Sequence, residues 1–162
     1  MGKWITALIL GTLALTGPAR ADTVSPLWQS LSGSPDYTTF VKALDEAGLD
    51  DRLKHATDRQ PVTVFAPTNA AFEALDATSR TKLFSPANRD RLRDVLNLHM
   101  VSGEVAPFRA VEQRDLGSDQ GQSLKVTDDK GQLHVNGVSA VPIRHFKTGY
   151  LYRLDRVLMP RQ

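Results

Sequence analysis

The segment Val62-Thr63-Val64-Phe65-Ala66 is β-branched, aromatic or apolar at every position, with proline on either side at Pro61 and Pro67. Strand side chains alternate between two faces, so a strand apolar at both parities must be covered on both. The sequence supplies helices for cover before and just after it. Ser34 and Pro35 start a predicted helix that carries Phe40, Leu44 and Ala47 at i, i+4 and i+7, and Gly48 ends it. Leu49 and Leu53 mark a short helical turn. Past Pro67, Thr68 or Asn69 caps a helix bearing Phe72 and Leu75. Ser85-Pro86 opens another, with Leu92, Val95, Leu96 and His99 along one face and Ser102-Gly103 at its end.

After Gly121 the period changes. Leu124 and Val126 alternate with polar residues, Asp128-Asp129-Lys130-Gly131 forms a polar turn, and Leu133 and Val135 alternate again. Asn136-Gly137 is a hairpin signal because both residues tolerate positive φ, and Val138 to Val141 is the return strand. The run Tyr150 to Met159 has the length of a long last strand closed by Pro160. Helices mainly in the first half and strands mainly in the second predict an α+β domain.

Lys3, the apolar run Ile5 to Leu15 and the small-x-small triplet Ala19-Arg20-Ala21 have the layout of an export leader ending at residue 21. The run is too short to span a bilayer, which takes roughly 20 residues. Residues 22–162 are then expected to form one soluble domain with its core over about 26–160, secreted or periplasmic and not inserted in a membrane. Cleavage would remove two of the 20 basic side chains and none of the 18 acidic ones, leaving a balanced protein. Nucleic acid calls for a clustered cationic excess, so it is not an expected partner. Arg89 to Arg93 is interrupted by Asp90 and reads as a solvated helix face. The chain has no cysteine; packing alone must hold an exported fold of this kind together.

Four segments, in order, resemble the fasciclin domain family. They are Thr63-Val64-Phe65-Ala66-Pro67-Thr68-Asn69-Ala70-Ala71-Phe72, then Leu98-His99-Met100-Val101-Ser102-Gly103-Glu104-Val105, then Val135-Asn136-Gly137-Val138, and the closing run Gly149 to Pro160. The resemblance implies a fasciclin-like fold, a wedge or sandwich of β-strands packed with several α-helices. It also implies a role in adhesion or extracellular interaction without a cofactor. Leu98 stands where the family usually has tyrosine before the central histidine; Asn69 and Tyr152 stand where many members carry aspartate and histidine.

Catalytic spacing is not found in the sequence. His55, His99, His134 and His145 are scattered, and no cysteine can complete a zinc site. His55 falls in a polar loop, His134 on the polar side of its hairpin, and His145 in a cationic stretch. No Gly-x-Ser-x-Gly elbow is present, and Gly117 to Gly121 lacks the ending of a phosphate loop. Asp128-Asp129 lacks the further carboxylates of a calcium loop. Neither an enzyme nor a metal or cofactor site is expected. The expected function is binding of a cell-surface or envelope protein or glycan, with self-association through an edge strand also open. A carrier of a small apolar ligand and a hydrolase with an unrecognised site stand as alternatives. Partner-contact candidates are Phe108 and Arg109 after Pro107, the segment Arg144-His145-Phe146-Lys147, and His99. For His99 the favoured reading is a packed histidine tying its helix end to a neighbouring strand.

Overall fold

The computed structural model describes residues 24–161; the expected leader, residues 1–21, lies outside them. Three helices come first: α1 (Pro26–Ser32), α2 (Thr38–Ala47) and α3 (Asp50–Lys54). Strand β1 (Val62–Pro67) leads to α4 (Asn69–Glu73), α5 (Ala77–Leu83) and α6 (Arg89–Leu98). Then follow β2 (Met100–Ser102), α7 (Pro107–Gln113), β3 (Asp115–Gly117), β4 (Ser123–Asp129), β5 (Gln132–Val135), β6 (Val138–Phe146) and β7 (Gly149–Leu154). Helices dominate early and strands late, so the fold is α+β.

All seven strands form one sheet in the order β2-β1-β7-β6-β5-β4-β3. β1 runs parallel to β7 and antiparallel to β2, and the other neighbours are antiparallel. The sheet curls into a near-barrel. Its two ends meet where the Asp119 N–H donates to the Met100 carbonyl at 2.9 Å and the Ser102 N–H donates to the Asp119 carboxylate at 3.1 Å.

β1 is buried at every position, and the reason is its place between two apolar clusters. Val62, Val64 and Ala66 face the helical layer with Phe40, Leu44, Leu96 and Leu151. Phe65 faces the inside of the curled sheet with Leu116, Leu124, Val135 and Tyr152. Thr63 is the one polar residue of the strand, and it is fully enclosed. Its hydroxyl donates to the Gly103 carbonyl at 2.8 Å and accepts from the Val105 N–H at 3.0 Å, so this buried hydroxyl is satisfied both as donor and as acceptor.

Helix starts follow their capping signals. Ser34 accepts from the Asp36 N–H at the head of a 3-10 turn over Pro35–Tyr37 that feeds α2. Thr68, rather than Asn69, caps α4 by accepting from the Ala71 N–H. Asn69 bonds across to α2 instead: its side-chain carbonyl accepts from the Thr39 N–H at 2.9 Å and its amide donates to the Pro35 carbonyl at 2.9 Å. Asn136 and Gly137 sit at φ of 50° and 79°, the hairpin geometry the pair favours.

The structure corrects three expectations. The polar turn after β4 is narrower than Asp128–Gly131, because Asp128 and Asp129 belong to the strand and the turn is Lys130-Gly131. The return strand runs to Phe146 instead of Val141. The last strand ends at Leu154, not Met159. Beyond it Val157 packs into the helical cluster and Leu158 into the sheet interior, so this stretch is buried without a strand ladder.

Gly149 carries the tightest steric demand. Its φ is 132°, and a Cβ there would lie 1.9 Å from the Val62 carbonyl oxygen. Alanine would have to push β1 and β7 apart where the two core faces meet. Gly149→Ala is expected to cost at least about 3 kcal/mol or to prevent folding. Gly117→Ala, where a Cβ meets nothing within 4 Å, should leave the urea midpoint close to that of the parent chain.

Candidate functional site

His99 lies at the end of α6 and is completely enclosed. Its Nε2 accepts from the Leu158 N–H at 2.9 Å, which places the ring proton on Nδ1, 2.7 Å from the Val95 carbonyl that accepts it. Its own carbonyl accepts from the Phe65 N–H at 2.8 Å. One residue thus ties α6, β1 and the segment after β7 together, and its side chain reaches no surface. Burial pushes the imidazole down from 6.5 to about 4, because a charged ring would lose water and its second N–H would face the Leu158 donor.

The other candidates fall on two stretches of surface. Phe108 and Arg109 are in the first turn of α7. Phe108 is 71% exposed, far from the core packing an aromatic side chain usually finds. Arg109 lines a separate cleft of about 480 Å³ with Glu104, Gln113 and Asp115. Arg144, His145 and Lys147 are exposed at the end of β6, whereas Phe146 is half-buried against the helical core. His145 is taken up locally: Nε2 lies 2.6 Å from a Glu104 carboxylate oxygen, and the ring stacks on Tyr150 with centroids 4.4 Å apart. Tyr150 in turn neighbours Tyr152, whose enclosed hydroxyl donates to the Val105 carbonyl at 2.7 Å.

A surface between these stretches, missed in the sequence, links them. β5 pairs with β6 only at Val138 and Ser139, so residues 141–146 have β7 as their ladder neighbour and an open side opposite. The pairing register shifts between Pro142 and Arg144. Val141 and Ile143 are exposed here, as are Phe108 and Val111 on α7. Phe108, Val111, Val141 and Pro142 line one groove of about 480 Å³. The structure therefore brings Phe108 to the start of the open half of β6, with Arg144 and Lys147 at its far end.

A second cluster that sequence reasoning missed joins Arg52, Ser102 and Asp119. The Ser102 hydroxyl donates to Asp119 at 2.8 Å and accepts from the Arg52 guanidinium at 2.7 Å. The other Asp119 oxygen is 2.8 Å from that guanidinium, close in charge but not aligned as a hydrogen bond. Bonded to both Asp119 and Arg52, Ser102 is part of a clamp across the sheet closure. Among the described residues no three His, Cys, Asp or Glu side chains gather as a metal site, and no helix is long and apolar enough to cross a membrane. The space between helices and sheet, where a carried ligand would sit, is filled by side chains such as Phe40, Val64, Leu96 and Leu151.

The family model described as Fasciclin domain matches residues 35–160. The chain belongs to the fasciclin domain family. This fasciclin domain is 29% identical over 148 residues to Protein sll1483 of Synechocystis, covering 91% of the chain and 80% of that protein. It is 33% identical over 155 residues to Immunogenic protein MPB70 of Mycobacterium bovis, covering 90% of the chain and 75% of that protein. Its fold matches a FAS1 domain pair from the insect cell adhesion molecule Fasciclin I with a TM-score of 0.73 at 16% identity. That match covers 85% of the chain, which spans about half, 51%, of the domain pair. Leu98, in the place of the family's usual tyrosine, is buried in the sheet interior.

Acid should loosen the fold through His99. Above pH 6.5 the ring is neutral in both states; between 6.5 and about 4 it protonates only when the chain unfolds. Stability is thus lost as pH falls across that window, by up to about 3 kcal/mol. His99→Leu should be less stable at pH 7 by about 2 kcal/mol, since the buried Leu158 N–H loses its acceptor. Urea midpoints at several pH values between 4 and 7 should show a shallower slope for the variant; an unchanged slope would exclude His99 as the source.

Proposed function

We propose that this fasciclin domain is an exported, non-enzymatic interaction module whose residues 22–162 act as one unit after removal of the leader. It binds a protein partner outside the cytoplasm through the face formed by α7 and the open half of β6. Phe108 carries this reading. An aromatic ring 71% exposed beside a groove is an anchor of the kind that dominates partner binding, and two further exposed apolar side chains, Val111 and Val141, line the same groove. Membership of the fasciclin family and the structural likeness to an insect cell adhesion molecule support an adhesive role. The Arg52 cleft, where Arg59 and Gln60 stand beside Ala56, Pro61 and Val62, has no Phe, Tyr or Trp on its walls to serve as a comparable anchor.

Immobilised chain should retain a small, saturable set of proteins from native envelope extract, competed away by free domain. Phe108→Ala should lose that set while its unfolding free energy, measured in urea, stays within about 0.5 kcal/mol of the parent, as for other exposed positions. Retention equal to a heat-denatured control, or capture indifferent to Phe108, would count against this face.

A further inference from the structure

The open half of β6 joins two unlike surfaces. At its start is the groove between α7 and β6, lined by Phe108, Val111, Leu133, Val141 and Pro142, with Asp128 the one charged side chain on its wall. At its end Arg144 and Lys147 are exposed, and neither makes an ion pair among the described residues. The Arg144 guanidinium lies over the Phe146 ring, 5.9 Å from its centre, which holds it at the strand. Between the two ends, backbone without a second neighbour runs along the sheet edge.

These features select an occupant. A second copy of the chain pairing edge to edge would bring two cationic segments together, and like charges facing across strands destabilise the pair. A partner segment with carboxylates meets two unpaired cations instead. Asp128 fixes the polarity, because it would repel an acid in the groove and leaves that place to an apolar side chain. The three residues from Val141 to Arg144 span about 10 Å of extended chain.

We propose that an extended segment of a partner protein lies along residues 141–147, with an apolar side chain in the groove between Phe108 and Val141 and carboxylates, about three residues further on, at Arg144 and Lys147. The proposal rests on the α7–β6 face being the partner surface.

The probe is a short peptide with a Leu-Val-Leu block joined to a Glu-Glu-Asp block, made in both orders because strand direction is open. Its binding is followed by fluorescence anisotropy and by amide shifts in the isotope-labelled chain. One order should saturate, with shifts at Val141, Ile143, Arg144 and His145, and its backbone N-methylated form should not bind. The Arg144→Glu/Lys147→Glu double variant should weaken it about fivefold to tenfold, the scale of two exposed ion pairs. That variant should in turn accept a probe with lysines in place of the acids. No saturation in either order, shifts elsewhere, or equal binding by the double variant would overturn the proposal. Failure of the probes with Phe108-dependent capture intact would reject this segment chemistry and leave the face standing; loss of both would reject both. Sedimentation showing a dimer broken by Phe108→Ala would assign the face to a second copy and also overturn it.

Discussion

Strand β1 has no face that water reaches, and both layers of the molecule answer to that. Helices α1, α2 and α6 cover one side of it, and the curled sheet closes over the other. Its neighbour β7 runs parallel to it, and parallel strands cannot be joined by a tight turn. Everything from α4 to β6 is therefore the connection between β1 and β7, and that connection has to return to the strand it left. His99 holds it partway, with its carbonyl on the Phe65 N–H and its ring on the Leu158 N–H. Gly149 lets the return strand approach Val62 more closely than any side chain would permit.

Most of this order was legible because it is written in apolar periodicity and local hydrogen bonding. β1 was recognisable from its unbroken apolar run, α2 and α6 from their i, i+4 stripes, and the β5–β6 hairpin from Asn136-Gly137. The missed elements lack those signals. α5 is capped by Asp76 but buries only Leu83, so no stripe forms. α7 buries only Ala110, and its N-cap Ala106 makes no side-chain bond. β2 and β3 have three residues each, too few to show alternation. α1 did carry a readable sign: Ser25-Pro26 repeats the Ser-Pro start seen before α2 and α6, and Ser25 accepts from the Trp28 N–H.

The site was legible residue by residue but not as a surface. Phe108 and the 144–147 segment stood out by type, yet nothing local says that α7, packed on β4 and β3, shares a groove with β6, some thirty residues later. Val141 and Ile143 look like ordinary strand residues. Their exposure follows from the early end of β5, which stops pairing at Ser139 and uncovers the rest of β6. The Arg52–Ser102–Asp119 clamp is equally non-local, since its three members come from α3, β2 and the loop after β3. His99 was the reverse case: the apolar stripe of α6 pointed inward, and burial with two ring bonds is what that position dictates.

Interior and surface meet in the loop before α7. The Val105 N–H donates to Thr63 on β1, and the Val105 carbonyl accepts from the Tyr152 hydroxyl on β7. Burial raises the Tyr152 pKa, so the hydroxyl keeps its proton and remains a donor at any pH the fold survives. Two side chains of the most enclosed strands thereby fix the residue two positions before Pro107, where α7 begins. Phe108 is in the first turn of that helix, and its placement over the groove is inherited from Thr63 and Tyr152, both of which are enclosed. A change at either position would move Phe108 through Val105 while leaving the identity of every exposed side chain intact. Weakened binding in such a variant would trace to the core and not to the chemistry of the surface.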